Sequence, residues 1–277
     1  MRGGSQAHLL EATDGHFYVV KFLNNPVCGR TLINEWMSSA VLKHLQIATP
    51  ETIAIHVSEV FLAENPGVYL QLRVGRQPIE PGLHFGSRFP SDPATNAVYD
   101  FLPDALFAMI ENLADFRGVL AFDKWMGNAD SRQAVFSRSP LKRRIRNNEK
   151  EELKRDMVAR MIDNGHVFEG AKWRLGAGPL QGLYFRSKVY EGVQGLEDFE
   201  PWLTRILDFP DDVLQSAVKA LPSSWIVGEE TALESLLARL LARRKSVPHL
   251  ICQSCSDQVD SFPQWQRQPF RPYKQQI

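Results

Sequence analysis

Lys21 stands inside the apolar run Val19-Val20-Lys21-Phe22. An unpaired ammonium is expensive to bury, so such a lysine either snorkels to water at a strand edge or meets an anion in a cleft. Asn34-Glu35-Trp36, at the start of the next helical stretch, supplies a carboxylate able to pair with Lys21 and hold it toward phosphate oxygens. Upstream, Arg2-Gly3-Gly4-Ser5-Gln6 places two glycines just before a strand. That arrangement either lets backbone N–H groups approach a phosphate or makes a simple turn. Two carboxylates follow in the second half. Asp130 lies in the polar loop of Gly127-Asn128-Ala129-Asp130-Ser131-Arg132-Gln133, where an aspartate either accepts a hydroxyl proton or caps a turn. Asp163 closes the apolar run Met161-Ile162 ahead of Asn164-Gly165-His166. It is either an ordinary strand-to-turn junction or a ligand for Mg2+, an ion that needs few protein oxygens.

The elements that must position these residues are legible in outline. His8 to Ala12 and Phe17 to Phe22 read as strands joined by Asp14-Gly15, a hairpin signal. Met37, Ala40, Val41 and Leu45 recur at helical spacing from about Asn34 to Leu45, and Thr49-Pro50 stops that helix. Ile53 to Leu62 and Val68 to Val74 read as two more strands. Gly75 to Pro103, rich in Gly, Pro, Ser and Asp, reads as a connection between two lobes, with His84-Phe85-Gly86-Ser87-Arg88 either lining a cleft or anchoring a loop through Phe85. Beyond it the chain reads as mainly helical. One stripe is Leu106, Met109, Ile110 and Leu113. A second runs from Leu233 to Leu241 in a helix that begins near Glu229-Glu230 and ends on Arg243-Arg244-Lys245, charges that suit the helix dipole. Residues 138–155 form a charged stretch with basic and acidic residues in balance. It reads as a solvated loop or hairpin. Residues 246–277, with many Gln, Pro and Ser, read as a disordered tail.

Composition narrows the classes. The chain has 277 residues, 44% hydrophobic and 23% charged, enough for one large domain or two packed lobes. Its 32 basic and 32 acidic residues cancel, so there is no strong nucleic-acid signal. No run of 18 apolar residues marks a membrane span. Three cysteines and no secretory leader predict a cytoplasmic protein with reduced thiols. His249, Cys252 and Cys255 are too few for a structural zinc site.

Taken in order, Arg-Gly-Gly-Ser-Gln, Val-Val-Lys-Phe, Asn-Glu-Trp, Gly-Asn-Ala-Asp-Ser-Arg-Gln and Ile-Asp-Asn-Gly-His resemble the HipA-like kinases of the protein-kinase-like superfamily. The resemblance covers about residues 1–245. It implies an α+β, two-lobed protein-kinase-like fold, with a small antiparallel β lobe and one helix in residues 1–75 and a larger, mainly helical catalytic lobe in residues 76–245. It implies an ATP- and Mg2+-dependent phosphotransferase with a protein substrate. The wider superfamily keeps small-molecule or lipid kinases, and a catalytically impaired nucleotide-binding module, as alternatives. By resemblance, Gly3, Gly4 and Ser5 form the phosphate loop and Lys21 contacts ATP phosphates with Glu35 as its partner. Asp130 is the catalytic-loop base and Asp163 the metal ligand. The family's catalytic loop carries asparagine five residues after the aspartate; here that position is Val135, and Gln133 or Asn128 is expected to supply the second metal-binding oxygen. Met1 sits almost on the glycine loop, so the expectation is a shortened first strand or a start lying upstream.

Overall fold

The computed structural model describes residues 4–27, 29–138 and 156–266. The first hairpin joins β1 (His8–Glu11) to β2 (Phe17–Lys21), with His8 opposite Val20. Asp14 builds its turn: Oδ1 accepts the His16 N–H and Oδ2 accepts the Tyr18 hydroxyl. Gly15 takes φ +74°, a conformation that costs glycine little. Side chains alternate along β2. Tyr18 and Val20 are buried on one face, and Lys21 lies on the other.

Helix α1 (Gly29–His44) buries Leu32, Ile33, Met37, Val41 and Leu42. Next come β3 (Thr52–Val57) and α2 (Glu59–Glu64). The strand expected to reach Leu62 therefore ends at Val57. Ser58 is the reason: its hydroxyl accepts the Phe61 N–H and caps a helix start. A separate two-stranded hairpin follows, β4 (Tyr69–Gln71) with β5 (Arg76–Pro78).

The segment read as an interlobe connection contains β6 (Gly82–Arg88), which lies between β2 and β3 in an antiparallel sheet of order β1-β2-β6-β3. A boundary at residue 75 would cut this sheet. Gly86 is closely packed there: a Cβ would come within 3.2 Å of the Ile53 side chain, which would have to give way slightly. The segment is a strand with His84 and Phe85 buried in it, where a loop anchored by Phe85 was one of the two expectations. His84 Nδ1 accepts the Leu23 N–H and its Nε2 donates to the Glu80 carbonyl. One apolar cluster (Tyr18, Val20, Phe22, Val57, Leu70 and Ile79) covers one side of the sheet, whereas Phe85, opposite Lys21, joins the main core with α1.

The second half opens on β7 (Val98–Tyr99) and a 3-10 turn, Asp104–Met109, where a longer helical stripe was expected. Helix α3 (Asp115–Met126) is buried along ten of its residues, as suits a helix at the centre of a core. The rings of Phe116, Phe122 and Trp125 fill that core. β8 (Gln133–Arg138) and β9 (Met157–Ile162) form an antiparallel pair with β7 on the outer edge of β8. Then come α4 (Trp202–Leu207), α5 (Asp211–Lys219), α6 (Ser223–Ile226), α7 (Glu230–Arg243) and α8 (Val247–Asp257). α7 matches the expected last stripe; α8 corrects the expected tail. Val247, Leu250, Ile251 and Cys255 bury one face of α8, and Pro248 sits in its first turn, where a missing N–H does no harm. The charged run 139–155 and residues 267–277 lie outside the described residues. The fold is thus mixed α+β with antiparallel sheets. No helix among the described residues is long and apolar enough to cross a membrane.

Candidate functional site

Lys21 ends β2 on the face toward α1, and Glu35 sits nearly two turns into α1 with 4% of its surface exposed. The ammonium donates to Glu35 Oε1 and, over 2.9 Å, to Asp163 Oδ1. Burial opposes its charge, but the two carboxylates more than offset that and hold its pKa above the ordinary lysine value. Asp163 is buried enough for desolvation to push its pKa up. Lys21, with help from His166 and Arg132, outweighs this and leaves it below the ordinary 3.8. The backbone of Asp163 is left-handed, φ +58°. Among the described residues its Oδ2 takes no hydrogen bond, and the side chain is 34% exposed.

The α1 residues bind the chain beyond Asp163 as well. Glu35 Oε2 accepts the Asn164 N–H at 3.0 Å. Asn34, fully buried, donates toward the carbonyls of Gly165, Val167 and Gly170 and accepts from the Trp173 indole. One helix turn thus sets Lys21 and the Asp163 loop together.

Asp130 and Asp163 reach the same end of the β8–β9 hairpin, because Gln133 pairs with Ile162. Arg132 locks that end. Completely buried, it makes a two-pronged pair with Asp123 of α3 and donates through Nη1 to the Ile162 carbonyl (3.0 Å) and Asn164 Oδ1 (2.8 Å). The Ala129 N–H donates to the His166 carbonyl at 3.0 Å. Asp130 is exposed, and its Oδ1 accepts the Ser131 N–H. Gln133 is exposed at the start of β8. Val135 sits two residues further along the strand, opposite Arg160, so the usual spacing to a second ligand has no counterpart at the loop.

Asn128 does not join the expected ligands. It is 1% exposed. Its Nδ2 donates to Asp123 Oδ1 and its Oδ1 accepts the Asp130 N–H, so it shapes the loop from beneath. Gly4 and Ser5 are held by Asn25, whose Nδ2 donates to both carbonyls just after β2; Gly3 lies outside the described residues. A Cβ at Gly4 would meet no heavy atom within 4 Å beyond its chain neighbours.

Several positioning residues escaped the sequence reading. For Asn34 and Asp123 the signal was an amide or charge set among large apolar residues, Leu32-Ile33-Asn34 and Phe122-Asp123-Lys124-Trp125, whereas Arg132 lay in the quoted polar loop with no such signal. A further group holds residues 171–181 by their carbonyls. Arg30 bonds Ala171, Arg239 bonds Trp173, Arg243 bonds Leu175 and Gly176, and Lys124 bonds Gly178, Pro179 and Gln181. The Gly182 N–H then donates to the Asp130 carbonyl at 2.9 Å.

Burial lowers the Lys124 pKa from 10.5 to about 8, against the pull of Asp123. Between those values the folded protein loses this proton while the unfolded chain keeps it, so stability rises with pH. Wild type is therefore expected to gain melting temperature relative to Lys124→Met as pH climbs from about 8 to 10.5. A pH-independent difference between the two would refute the assignment.

No group of three or more His, Cys, Asp or Glu side chains among the described residues is arranged to hold a metal by itself. Cys252 and Cys255 are free thiols on α8. A search of curated proteins matches none. A family model described as HipA-like kinase matches residues 1–140, a span that takes in Lys21, Glu35, Asp130 and Gln133 and stops before Asp163. With that match over half its length, the chain belongs to the HipA-like kinase family.

Proposed function

We propose that the protein is an ATP- and Mg2+-dependent phosphotransferase that moves the γ-phosphoryl group of ATP to a serine or threonine hydroxyl of a protein. The observation that carries this reading is the Lys21–Glu35–Asp163 triad, fixed by Arg132 to the loop that presents Asp130. A charged lysine held by two carboxylates, one of them about one-third exposed to solvent, suits a polyphosphate and its cation.

The donor set fits Mg2+. Asp163 Oδ2 lacks a protein partner among the described residues, and the Gln133 carboxamide begins the strand beside it; Mg2+ takes one or two protein oxygens and completes its shell with phosphate and water. When bound, the ion would neutralise charge on the transferred group. In this reading Lys21 positions phosphate oxygens, Glu35 keeps Lys21 extended, and Gly3, Gly4 and Ser5 cover the phosphates with backbone N–H groups. Asp130 orients the acceptor hydroxyl. The hydroxyl oxygen bonds to the γ-phosphorus, the bond from that phosphorus to the bridging oxygen of ADP breaks, and the hydroxyl proton passes to Asp130. The four-stranded sheet with α1 would serve as the nucleotide-binding lobe, extended past β6, and the remainder as the catalytic lobe.

The test is incubation with γ-labelled ATP and Mg2+, alone and with host lysate. Wild type is expected to label itself or a protein. Asp130→Asn is expected to reduce transfer about 10²–10⁴-fold and to keep nucleotide affinity, because the base acts on the acceptor. Equal transfer by both proteins would sink the assignment of Asp130. Nucleotide binding without transfer to protein, lipid or small acceptors would convert the reading to a binding module.

A further inference from the structure

Beside Asp130 the protein carries an apolar surface that the transfer chemistry does not use. The 180–186 segment is bonded to the Asp130 loop on both sides: the Gly182 N–H donates to the Asp130 carbonyl, and the Arg132 N–H donates to the Leu183 carbonyl at 3.0 Å. Leu183 and Tyr184 are buried, and the Tyr184 N–H donates to the Tyr190 hydroxyl. These anchors leave the neighbouring large side chains outside. Leu180 is 65% exposed and Phe185 67%.

The surface continues past this loop. The Arg186 guanidinium lies 4.7 Å from the ring centre of Phe101 and 5.7 Å from that of Phe185, so the two rings flank it. Phe101 is 52% exposed, and Tyr99, two residues earlier on β7, is 45% exposed. Arg186 itself is compensated by Asp104 and by the Leu102 carbonyl. The Arg186 charge beneath the exposed rings is therefore already paired within the protein. The rings are carried on anchored backbone, which keeps the ordering entropy of docking small. A small metabolite is held in a concavity that covers most of its surface. Side chains two-thirds exposed offer no such cover and suit a macromolecular partner.

We propose that Leu180, Phe185 and Phe101 form a specificity surface for the phosphoryl acceptor, which is a polypeptide segment bearing a large apolar side chain close to its serine or threonine. This rests on the phosphotransferase reading above. Extended chain advances about 3.3 Å per residue, and Phe185 lies two residues beyond the Leu183 carbonyl that binds the Asp130 loop. The apolar side chain is accordingly placed within about three residues of the acceptor.

The test uses the whole protein with Mg2+ and γ-labelled ATP on a positional peptide library with fixed serine or threonine. Leu, Phe or Met at one position within three residues of the acceptor is expected to raise kcat/KM about 10-fold or more over Ser or Glu. Phe185→Ser and Leu180→Ser are expected to raise KM for the preferred peptide about 10-fold, with kcat, the KM for ATP and basal ATP hydrolysis unchanged. Phe185→Leu is expected to restore most of the affinity, which a general structural defect would not allow. A flat library preference, or unchanged peptide KM in both serine variants, overturns the proposal while basal ATP turnover leaves the kinase reading standing. Labelling of a lipid or a small acceptor, indifferent to Phe185→Ser, overturns it equally. Absence of Mg-ATP binding and hydrolysis in wild type brings down the kinase reading and this surface together.

Discussion

Asp163→Asn is expected to lower Mg2+-dependent phosphoryl transfer by about 10³-fold or more and to leave the melting temperature within a few degrees of wild type. The choice of asparagine follows from the backbone. Asp163 has φ +58°, a left-handed conformation that asparagine adopts more readily than any residue but glycine. Alanine there would add backbone strain to the loss of charge. Asparagine keeps an oxygen for Lys21, which stays paired with Glu35, so the substitution removes little but the negative charge. That charge is present throughout the neutral range. The lowered pKa means that the Lys21–Asp163 pairing contributes fully above 3.8 and is lost as pH falls through the lowered folded-state value. The measurement is single-turnover transfer against Mg2+ concentration, with a melt on the same samples. Asp163→Asn that transfers phosphate at a wild-type rate in ordinary Mg2+ would remove Asp163 from the metal site.

Asp123→Leu is expected to destabilise the protein by about 3–5 kcal/mol. Both partners of the Asp123–Arg132 pair are 0% exposed at the side chain. Removing the carboxylate strands a guanidinium that cannot shed its charge and takes an acceptor from Asn128. The double variant Asp123→Leu/Arg132→Met is expected to be more stable than Asp123→Leu alone, since no unpaired charge remains. Both variants are expected to lose transfer, because Arg132 is what joins the Asp130 loop to Ile162 and Asn164. Urea unfolding of the two single variants and the double variant closes the cycle. Strictly additive losses, or a single-variant loss below about 1 kcal/mol, would show the pair to be a bystander.

Lys21, Glu35 and Asp163 were legible as a group because each breaks the local pattern: a cation in an apolar strand, a carboxylate among the apolar residues of a helix that begins at Gly29 rather than near Asn34 as expected, and a carboxylate closing a strand. The first hairpin, α1 and α7 were legible for the opposite reason, since their periodicity and turn residues agree with the fold. β6 was hidden by composition. Its two glycines and its histidine signal a loop, and what makes them a strand is the packing of Ile53 over Gly86 and the bonds of His84, both long-range. α8 was hidden likewise, its buried face diluted by Gln, Ser and Pro. Asn128 was expected, as the alternative to Gln133, to replace the metal-binding asparagine that Val135 displaces; the fold uses both ends of its amide to build the loop. The carbonyl contacts of Arg30, Arg239, Arg243 and Lys124 have no local sequence signal, because backbone acceptors are present at every residue.

The double grip of Asn34 and Glu35 on the chain after Asp163 has a bearing on regulation. Besides the Lys21 pair, the two Asn34 Nδ2 protons are shared among three carbonyls, and Glu35 Oε2 and Asn34 Oδ1 each accept one hydrogen bond, the equivalent of about four bonds. At about 1 kcal/mol each, a conformer with α1 rotated away would lie about 4 kcal/mol higher, a population of about one molecule in a thousand. An on–off scheme based on swinging this helix would therefore need an effector whose preference for the rotated form is about a thousandfold or more. Control of output in this chain falls more readily on access to the site than on its assembly.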